Sequence, residues 1–546
     1  MSYRAIAALT VVLLAGSAAN LPTRQPQQTL TPSPNGPFHI DGNRIVDAKG
    51  RPFLMRGTQL TEFHPRTMAH DNRYGRDFGE HSPTSLSAIR LRFNMNTVRL
   101  PLDAAESTQP GYFSELAKVV RRANDIDLLV VLAADGSPDF WSRCAAAFKS
   151  NRNIMFDASP TSAPSVDVVR TIRSAGAAQP IIVGSTGSLL DDPNLIYASA
   201  PTFTPQFDAL ASRVPTATFG LDFDLENPAA CAAIPQDPAA ASALIESALN
   251  WFDTHQVSWT ASVYQTGRLV KDLSLQDATS LENGWTCGPQ QYPAPGIGRV
   301  VEAHLRSNEE RGLFVVSAGG GPDVARGGFA IGYGPVMAAR DSWAKSGQTQ
   351  LRLGGIAVQV TDSHGVNRPA PIFYATAGWG QINFVIPTDS ATGPARMTIV
   401  RRDGSRESTQ ITIADTAPGF WTGVSCRGPA QGIATQQFAD GHKSTTQIQA
   451  CEPGNCWPNA IPVAPGAVTR VAMKASGFRN VRSASEIVAT AGGVRVPVIS
   501  VAPGEDAGVD QVTIEIPPSL RNRGVVDLIC HVNGRVSNAV QIKIGG

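Results

Sequence analysis

Acidic side chains at the ends of short apolar runs are the residues of this sequence best suited to chemistry. Asp135 and Asp157 each follow such a run, and Asp222, Asp224 and Glu226 form a cluster after another one. Two facing carboxylates can supply a general acid, a general base or a nucleophile. Asp157 with Asp222 is the best pair for this purpose. The simpler interpretation is that each carboxylate caps a helix or bonds a loop amide.

Motifs for other chemistries are missing from the sequence. It contains no Gly-x-Ser-x-Gly, no His-Glu-x-x-His and no phosphate loop ending in Gly-Lys-Ser or Gly-Lys-Thr. The Gly-rich segment 317–335 lacks a following helical pattern, so we interpret it as the opening strand and turns of a β-domain. Zinc is disfavoured because there is no pair of Cys-x-x-Cys motifs and no paired His spacing. We therefore expect no cofactor and no metal.

The elements that would position these carboxylates alternate between apolar runs and helical stripes from His39 to about Asn308. A helical stripe from Phe140 to Phe148, for example, precedes the apolar run Ile154–Phe156. The runs are continuous rather than alternating, which indicates a parallel sheet buried on both faces. About 270 residues of this pattern fit one (β/α)8 TIM barrel, whose active sites lie at the carboxyl ends of the strands.

The second half of the chain has a different pattern. From about Phe314, short alternating runs separated by Gly and Pro turns replace the helical stripes. An internal repeat matches "GGIAVQV" and "QINFVIP" with "GGVRVPV" and "QVTIEIP", and each copy has roughly 100 residues, the size of an Ig-like domain. The predicted fold class is a multidomain chain. A (β/α)8 TIM barrel at 38–308 is followed by two Ig-like all-β sandwich domains, at 313–415 and 416–546.

The amino terminus predicts export. Arg4 precedes the apolar stretch Ala5–Ala15, and small residues follow, as in a secretory signal peptide over 1–19. That stretch is shorter than the roughly 20 residues that span a bilayer, so we expect cleavage and no transmembrane segment afterwards. Residues 20–37 are predicted to be a disordered linker. The expected location is extracellular, either secreted or at the cell surface.

Nucleic acid is not an expected partner. Lys and Arg together number 46, Asp and Glu number 45, and the net charge is +1. A protein that binds nucleic acid mainly through the phosphate backbone carries a clear excess of positive charge.

Seven cysteines in an exported chain suggest disulfide bonds. They are Cys144, Cys231, Cys287, Cys426, Cys451, Cys456 and Cys530. We expect Cys231 and Cys287, in two loop-like segments, to form a pair. Cys451 and Cys456 either close a small loop together, or one of them pairs with Cys426 or Cys530. Because seven is odd, one thiol stays free, and Cys144 on an apolar helix face is the best candidate.

The first half of the chain resembles the cellulase-type glycoside hydrolases of family 5. The motifs that carry this resemblance are "RIVDAKGRPFLMRG", "FNMNTVRLPL", "FWSRCAAAFKSNRNIMFD" and "SWTASV". The resemblance implies a catalytic Glu before a Pro at the end of strand 4 and a second Glu at the end of strand 7. This chain has Ser159 at the first position and Leu221 at the second, or Asp222 there if the register slips by one. The Arg of strand 2 is retained as Arg99, whereas the His-x-Tyr of strand 6 becomes 200–202 and the Trp of strand 8 becomes Ser262.

Those replacements imply a barrel without hydrolytic activity. A retaining glycosidase needs two carboxyl groups about 5–5.5 Å apart, and neither a serine hydroxyl nor a leucine can replace them. The resemblance then implies a glycan-binding or scaffold barrel for a polysaccharide or cell-envelope glycan, with Arg99, Asp135 and Asp224 as candidate ligand-binding residues. Arg99 has a simpler role as an ion-pair partner inside the barrel.

Two alternatives remain open. One is an active glycosidase acting on β-glucan or mannan with relocated carboxylates, for which Asp157 and Asp222 are weak candidates. Against that alternative, we expect Asp157 to point away from the barrel mouth. The other is a structural or adhesive protein of the cell envelope, with no role for carbohydrate.

The second half resembles a domain that recurs at the carboxyl termini of secreted acidobacterial proteins. The motifs are "GGIAVQV", "APIFYATAGWGQINFVIP", "APGFWTG" and the Gly-Arg-x-Ser-Asn sequence near the end. This resemblance implies export and a β-sandwich, and it implies little about chemistry. Trp379 and Trp421 in this region are either exposed platforms for sugar rings or, more commonly for such residues, core anchors.

Overall fold

The computed structural model describes most of the chain. The described residues are 31–65, 80–161, 165–184, 189–198, 215–221, 238–261, 264, 269–270, 286–287, 290–291, 297–306, 313–333, 338–345, 348–376, 381–424, 427–452 and 455–545. The predicted signal peptide and most of the predicted linker lie outside these ranges. Within them, no helix combines the length and the hydrophobicity needed to cross a membrane.

Eight parallel strands close into a barrel, which confirms the predicted fold class. The strands are β1 (Arg56–Gln59), β2 (Thr97–Pro101), β3 (Leu129–Ala133), β4 (Ile154–Asp157), β5 (Ile181–Gly184), β6 (Leu195–Ala198), β7 (Thr216–Leu221) and β8 (Ser258–Ala261). Each strand pairs with the next, and β8 pairs with β1. The register places Arg99 beside Val131, and Asp157 beside Ala133. The residues that end β2, β3 and β4 therefore lie close together at one end of the barrel.

Helices cover the outside of the barrel where the structure describes them. They are α1 (Pro83–Ser87), α2 (Tyr112–Asp125), α3 (Pro138–Phe148), α4 (Ser165–Ser174), α5 (Pro238–Thr254) and α6 (Ile297–Arg306), with a π-turn at Ala88–Arg92 and a 3-10 turn at Glu106–Thr108. Helix α3 begins after Ser137, whose hydroxyl accepts a hydrogen bond from the Phe140 amide at 3.3 Å. Its apolar face, including Trp141, is fully buried against the strands.

The barrel has two separate cores because successive residues of a strand face opposite sides. Interior side chains include Leu129, Val131 and Met155, whereas Val130 and Phe156 pack outward against the helices. A hairpin of strands His39–Asp41 and Arg44–Val46 precedes the barrel, and nearby Phe38, Ile45 and Phe53 join the interior core. These residues meet the starts of the strands, so the opposite, carboxyl-terminal end is the mouth. A short pair, Thr286–Cys287 with Gln290–Gln291, lies between α5 and α6 in sequence.

The first sandwich consists of two five-stranded sheets over a shared core. One sheet contains, from edge to edge, Phe314–Ser317, Phe329–Tyr333, Gln381–Val385, Ile372–Ala375 and Ser342–Trp343. The other contains Asp323–Ala325, Arg406–Ala414, Gly393–Arg401, Ile356–Thr361 and Asn367–Ala370. The described part of the Gly-rich segment, 317–333, supplies strands and turns here, as the sequence predicted.

The second sandwich has larger sheets and its own core. One sheet contains Lys443–Gln447, Gly432–Gln437, Val468–Ser476, Asp510–Ile516 and Val498–Pro503, with Gly419–Phe420 added beside Val468–Ser476. The other contains Thr422–Val424, Arg427–Ala430, Val540–Ile544, Gly524–Val532, Ile487–Ala491 and Val494–Val496, with Ala460–Ile461 and Arg535–Val536 added. A ribbon pairs Gln449–Glu452 with Asn455–Pro458, and 3-10 turns lie at Ala484–Glu486 and Pro518–Leu520.

The second sandwich packs directly against the barrel. Ile529, Val536 and Ala539 belong to the same apolar cluster as the outer face of the barrel strands. Arg122 of α2 forms an ion pair with Asp527 at 3.1 Å. This interface combines buried apolar contacts with a paired charge, so the barrel and the second sandwich form a continuous packed unit.

Candidate functional site

The end of β4 carries the carboxylate that the sequence placed nearest to the expected catalytic position. Asp157 is the last residue of β4, and its side chain is completely buried. Its Oδ2 accepts a hydrogen bond from Nε of Arg99 at 2.8 Å, and its Oδ1 accepts one from the Ser159 amide at 2.9 Å. Arg99 also donates from Nη1 to Oε1 of Gln59. Both oxygens of Asp157 are therefore engaged in structural contacts.

This geometry contradicts one prediction and confirms another. We expected Asp157 to point away from the barrel mouth, and that prediction was wrong. Asp157 lies two residues after Met155 on the interior face of β4, and it reaches Arg99 of β2 inside the barrel. Residues two apart on a strand share a face, so the expectation misapplied the alternation rule. The interpretation of Arg99 as an ion-pair partner inside the barrel is confirmed.

Ser159 lies two residues beyond Asp157 in the loop that follows β4. It is half-buried, and its amide is held by the Asp157 carboxylate in a tight turn. The preceding Ala158 is buried among the apolar residues outside the barrel. Thr161 completes the turn by donating from its hydroxyl to the Gly136 carbonyl at 2.9 Å. The loop after β4 thus has a serine, and no carboxylate, at the position that the resemblance assigns to the acid.

The other predicted site residues are placed only in part. Leu221 ends β7 and lies beside Ala261 of β8. Asp135 lies two residues beyond β3 at the rim and is exposed. Asp222 and Asp224 lie outside the described residues, as do Glu226, 200–202 and Ser262. The predicted Asp157–Asp222 pair therefore stays a prediction.

Sequence analysis missed a group of titratable residues at the mouth beside β1 and β2. One nitrogen of His64 and one oxygen each of Asp103 and Glu106 lie within 4.8 Å of one another. The residues meet because Phe63 bridges to Leu102 as a continuation of the β1–β2 ladder. The signal was present in the sequence, since each of these segments directly follows a strand end.

Existing hydrogen bonds account for the arrangement of this group. Nδ1 of His64 lies 3.1 Å from Oε2 of Glu106. Oδ1 of Asp103 accepts from the amides of Ala105 and Glu106 and so initiates the 3-10 turn. An imidazole with two carboxylates has the donor set of a divalent-cation site. Among the described residues this is the group whose spacing would suit a cation.

The described cysteines follow the predictions in part, because two of them are free where one free thiol was expected. Cys451 and Cys456 form a disulfide, the first of the two alternatives that the sequence left open. Cys144 and Cys530 are free and buried, and burial raises the pKa of both thiols. Cys287 lies in the short strand pair, whereas Cys231 and Cys426 lie outside the described residues. The Cys231–Cys287 disulfide stays a prediction.

Comparisons with known proteins give similarity to solved structures alone. Neither a family model nor a curated protein sequence matches the chain. It is similar to the solved structure of a GH5 cellulase from an Icelandic hot spring isolate, with 15% identity, a TM-score of 0.35, and coverage of 50% of this chain and 94% of that chain.

Two further solved structures are similar at the same low level. A β-mannanase from Streptomyces thermolilacinus has 16% identity and a TM-score of 0.33, over 49% of this chain and 95% of that chain. A Bacteroides ovatus GH5 xyloglucanase, solved with a XXXG heptasaccharide, has 13% identity and a TM-score of 0.28, over 51% and 74%. Identities and TM-scores this low say nothing about activity. The barrel assignment rests on the closed order of eight parallel strands.

Proposed function

We propose that the barrel is a non-catalytic, glycoside-hydrolase-like module that binds a polysaccharide or cell-envelope glycan at its mouth. The observation that carries this proposal is the buried ion pair between Arg99 and Asp157. A general acid must exchange its proton with the substrate, and a nucleophile needs an accessible oxygen. Asp157 is completely buried, and both of its oxygens already accept hydrogen bonds.

The residues above the ion pair support binding rather than cleavage. The hydroxyl of Ser159 can donate to and accept from a sugar hydroxyl, but it cannot act as a strong acid. Asp135 at the end of β3 adds an exposed hydrogen-bond acceptor to the rim, and the His64 group adds further polar atoms beside β1 and β2. Polar side chains around an apolar frame are the usual composition of a small-molecule or glycan site.

Export is the second element of the proposal. The predicted signal peptide supports it, and so does the disulfide between Cys451 and Cys456. Disulfides persist in oxidising compartments and are rare in the cytosol. We place the protein outside the cytoplasm, secreted or held at the cell surface.

An active glycosidase is the second candidate, and the observation that favours it is the close approach of Asp103 and Glu106. These carboxylates lie three residues apart on a single turn after β2. Catalysis of glycoside hydrolysis needs carboxyl groups on both sides of the scissile bond. Two groups on one turn approach a sugar from the same side, so we rank this candidate second.

The experiment measures binding and cleavage on the same sample. The full chain is run in native gels that contain mannan or mixed-linkage β-glucan, and reducing ends are measured after prolonged incubation in solution. We expect retardation in at least one gel and no release of reducing ends. Reducing ends that disappear in Asp103→Asn or Asp222→Asn would establish the glycosidase instead. Neither retardation nor cleavage would reject a glycan function and favour the structural or adhesive role.

A further inference from the structure

An aromatic side chain projects into solvent from the edge of the first sandwich. Trp343 is 66% exposed, and it is the exposed aromatic residue among those the structure describes. It lies in the two-residue edge strand Ser342–Trp343, directly opposite Tyr374 of the neighbouring strand. The ring centroids are 5.0 Å apart, and the rings are tilted by 41°. The two rings form an uneven aromatic surface on the outer face of the sheet.

Polar amides continue this surface across the sheet. Tyr374 lies opposite Asn383, which lies opposite Ile331. On the core side of the same strands, Ile382 and Phe384 fill the sandwich interior, so Asn383 faces outward. Exposure rises along this row, from buried Ile331 through half-buried Asn383 and Tyr374 to Trp343. We call the exposed part of the row, Trp343, Tyr374, Asn383 and the adjacent Gln381, the aromatic–amide row.

The amides of this row are held in place but keep bonding capacity. Nε2 of Gln381 donates to Oδ1 of Asn383 at 2.8 Å. This bond uses one donor of Gln381 and one acceptor of Asn383, and each side-chain amide offers two donors and an acceptor with two lone pairs. The aromatic–amide row therefore combines the two tilted aromatic rings with neutral donors and acceptors at its inner end.

We propose that the aromatic–amide row is a second glycan-binding site, separate from the barrel and independent of the site proposed there. A pyranose ring presents an apolar face of C–H groups and a rim of hydroxyls. The Trp343 and Tyr374 rings match the apolar face, and the Gln381 and Asn383 amides match the hydroxyls. The row itself contains no charged side chain, which disfavours a nucleic-acid backbone. The occupant is a neutral polysaccharide chain lying along the row.

Trp421 does not serve this purpose, although the sequence raised it as a sugar platform. It is half-buried, and its ring lies 4.8 Å from the ring of Phe329 in the apolar cluster on the same sheet face. The core-anchor interpretation therefore fits Trp421 better. Trp379 lies outside the described residues.

The test compares Trp343→Ala with Leu351→Ala in the full chain. Leu351 is 53% exposed in the same sandwich, but it is aliphatic and offers no ring. Affinity for soluble mannan and mixed-linkage β-glucan is measured by native gel retardation. We expect Trp343→Ala to weaken binding at least tenfold, Trp343→Phe to retain most of it, and Leu351→Ala to match wild type. Thermal unfolding checks that each variant is folded.

The outcomes separate this inference from the function proposed for the barrel. Wild-type affinity in Trp343→Ala, with a loss in the rim variant Asp135→Ala, would overturn the sandwich site and leave the barrel proposal standing. A loss in Trp343→Ala alone would support the sandwich site and count against binding at the barrel mouth. A change in self-association of Trp343→Ala, with unchanged glycan affinity, would assign the row to protein contact and overturn the inference.

Discussion

Replacing Arg99 with methionine tests the buried ion pair inside the barrel. Arg99→Met keeps much of the aliphatic length of the side chain and removes the positive charge beside Asp157. The carboxylate would then remain buried beneath the mouth with one hydrogen bond, from the Ser159 amide. A buried charge without its ion-pair partner is strongly destabilising, because the remaining hydrogen bond does not compensate for the lost hydration of the carboxylate.

The expected loss can be estimated from this geometry. The side chain of Asp157 is completely buried and that of Arg99 is 12% exposed. Removing one partner of such a pair costs about 3–5 kcal/mol. The double variant Arg99→Met with Asp157→Leu removes both charges, so it should lose less than the sum of the two single variants, with a coupling energy up to about 3 kcal/mol.

Hydrogen exchange measured by mass spectrometry reports the stability of the barrel separately from that of the sandwiches. A loss of about 3–5 kcal/mol accelerates exchange of the globally protected amides in β3 and β4 by roughly 100- to 4,000-fold. Arg170→Met is the matched control, because its ion pair with Asp167 is exposed and should contribute less than about 1 kcal/mol.

One result would refute this reasoning. If Arg99→Met exchanged at the wild-type rate in β3 and β4, Asp157 would not depend on Arg99 for compensation. The carboxylate would then be free to take part in chemistry, and the argument against catalysis would lose its main support.

Three further predictions concern other parts of the chain. Burial raises the pKa of Asp125 from its ordinary value of 3.8 to about 6, so this carboxyl destabilises the folded chain increasingly as the pH rises through 6. In urea unfolding, Asp125→Asn should therefore stabilise the chain by about 1–3 kcal/mol at pH 8 and have little effect below pH 4. Equal effects at both pH values would contradict this prediction. Cys144 and Cys530 are buried, so a thiol reagent should label them only after unfolding, and rapid labelling of the native protein would show that they are accessible. A Cβ at Gly57 would lie 1.9 Å from the Thr97 carbonyl oxygen, so Gly57→Ala should disrupt the β1–β2 pairing. The free energy of unfolding, measured thermally or in urea, should fall by more than about 4 kcal/mol. A variant as stable as wild type would show that the backbone can move aside.

The strands of the barrel were predictable because burial on both faces requires continuous apolar runs in the sequence. The predicted Ile154–Phe156 run became β4, Ile154–Asp157, and the neighbouring β3, Leu129–Ala133, is likewise a continuous apolar run. Both strands are covered on two sides, so every residue of the run is apolar or paired.

The contacts of the candidate site were less predictable. The Arg99–Asp157 pair depends on which face of β4 carries the carboxylate, and an error of one residue in that assignment reverses the conclusion. The grouping of His64 with Asp103 and Glu106 depends on loops that continue the β1–β2 ladder beyond the strand ends. The exposure of Trp343 depends on its place in an edge strand, which apolar periodicity does not reveal.

The central claim is that the barrel holds a glycan without breaking it. The most direct measurement incubates the full chain with mannohexaose and cellohexaose and follows both oligosaccharides by mass spectrometry over a day. We expect both oligosaccharides to remain intact, with no more breakdown than in buffer alone. Shorter products from the wild-type chain that are missing with Asp157→Asn or Asp222→Asn would contradict a non-catalytic barrel. Cleavage would then depend on one of these two carboxylates, to which the proposed function gives no catalytic role.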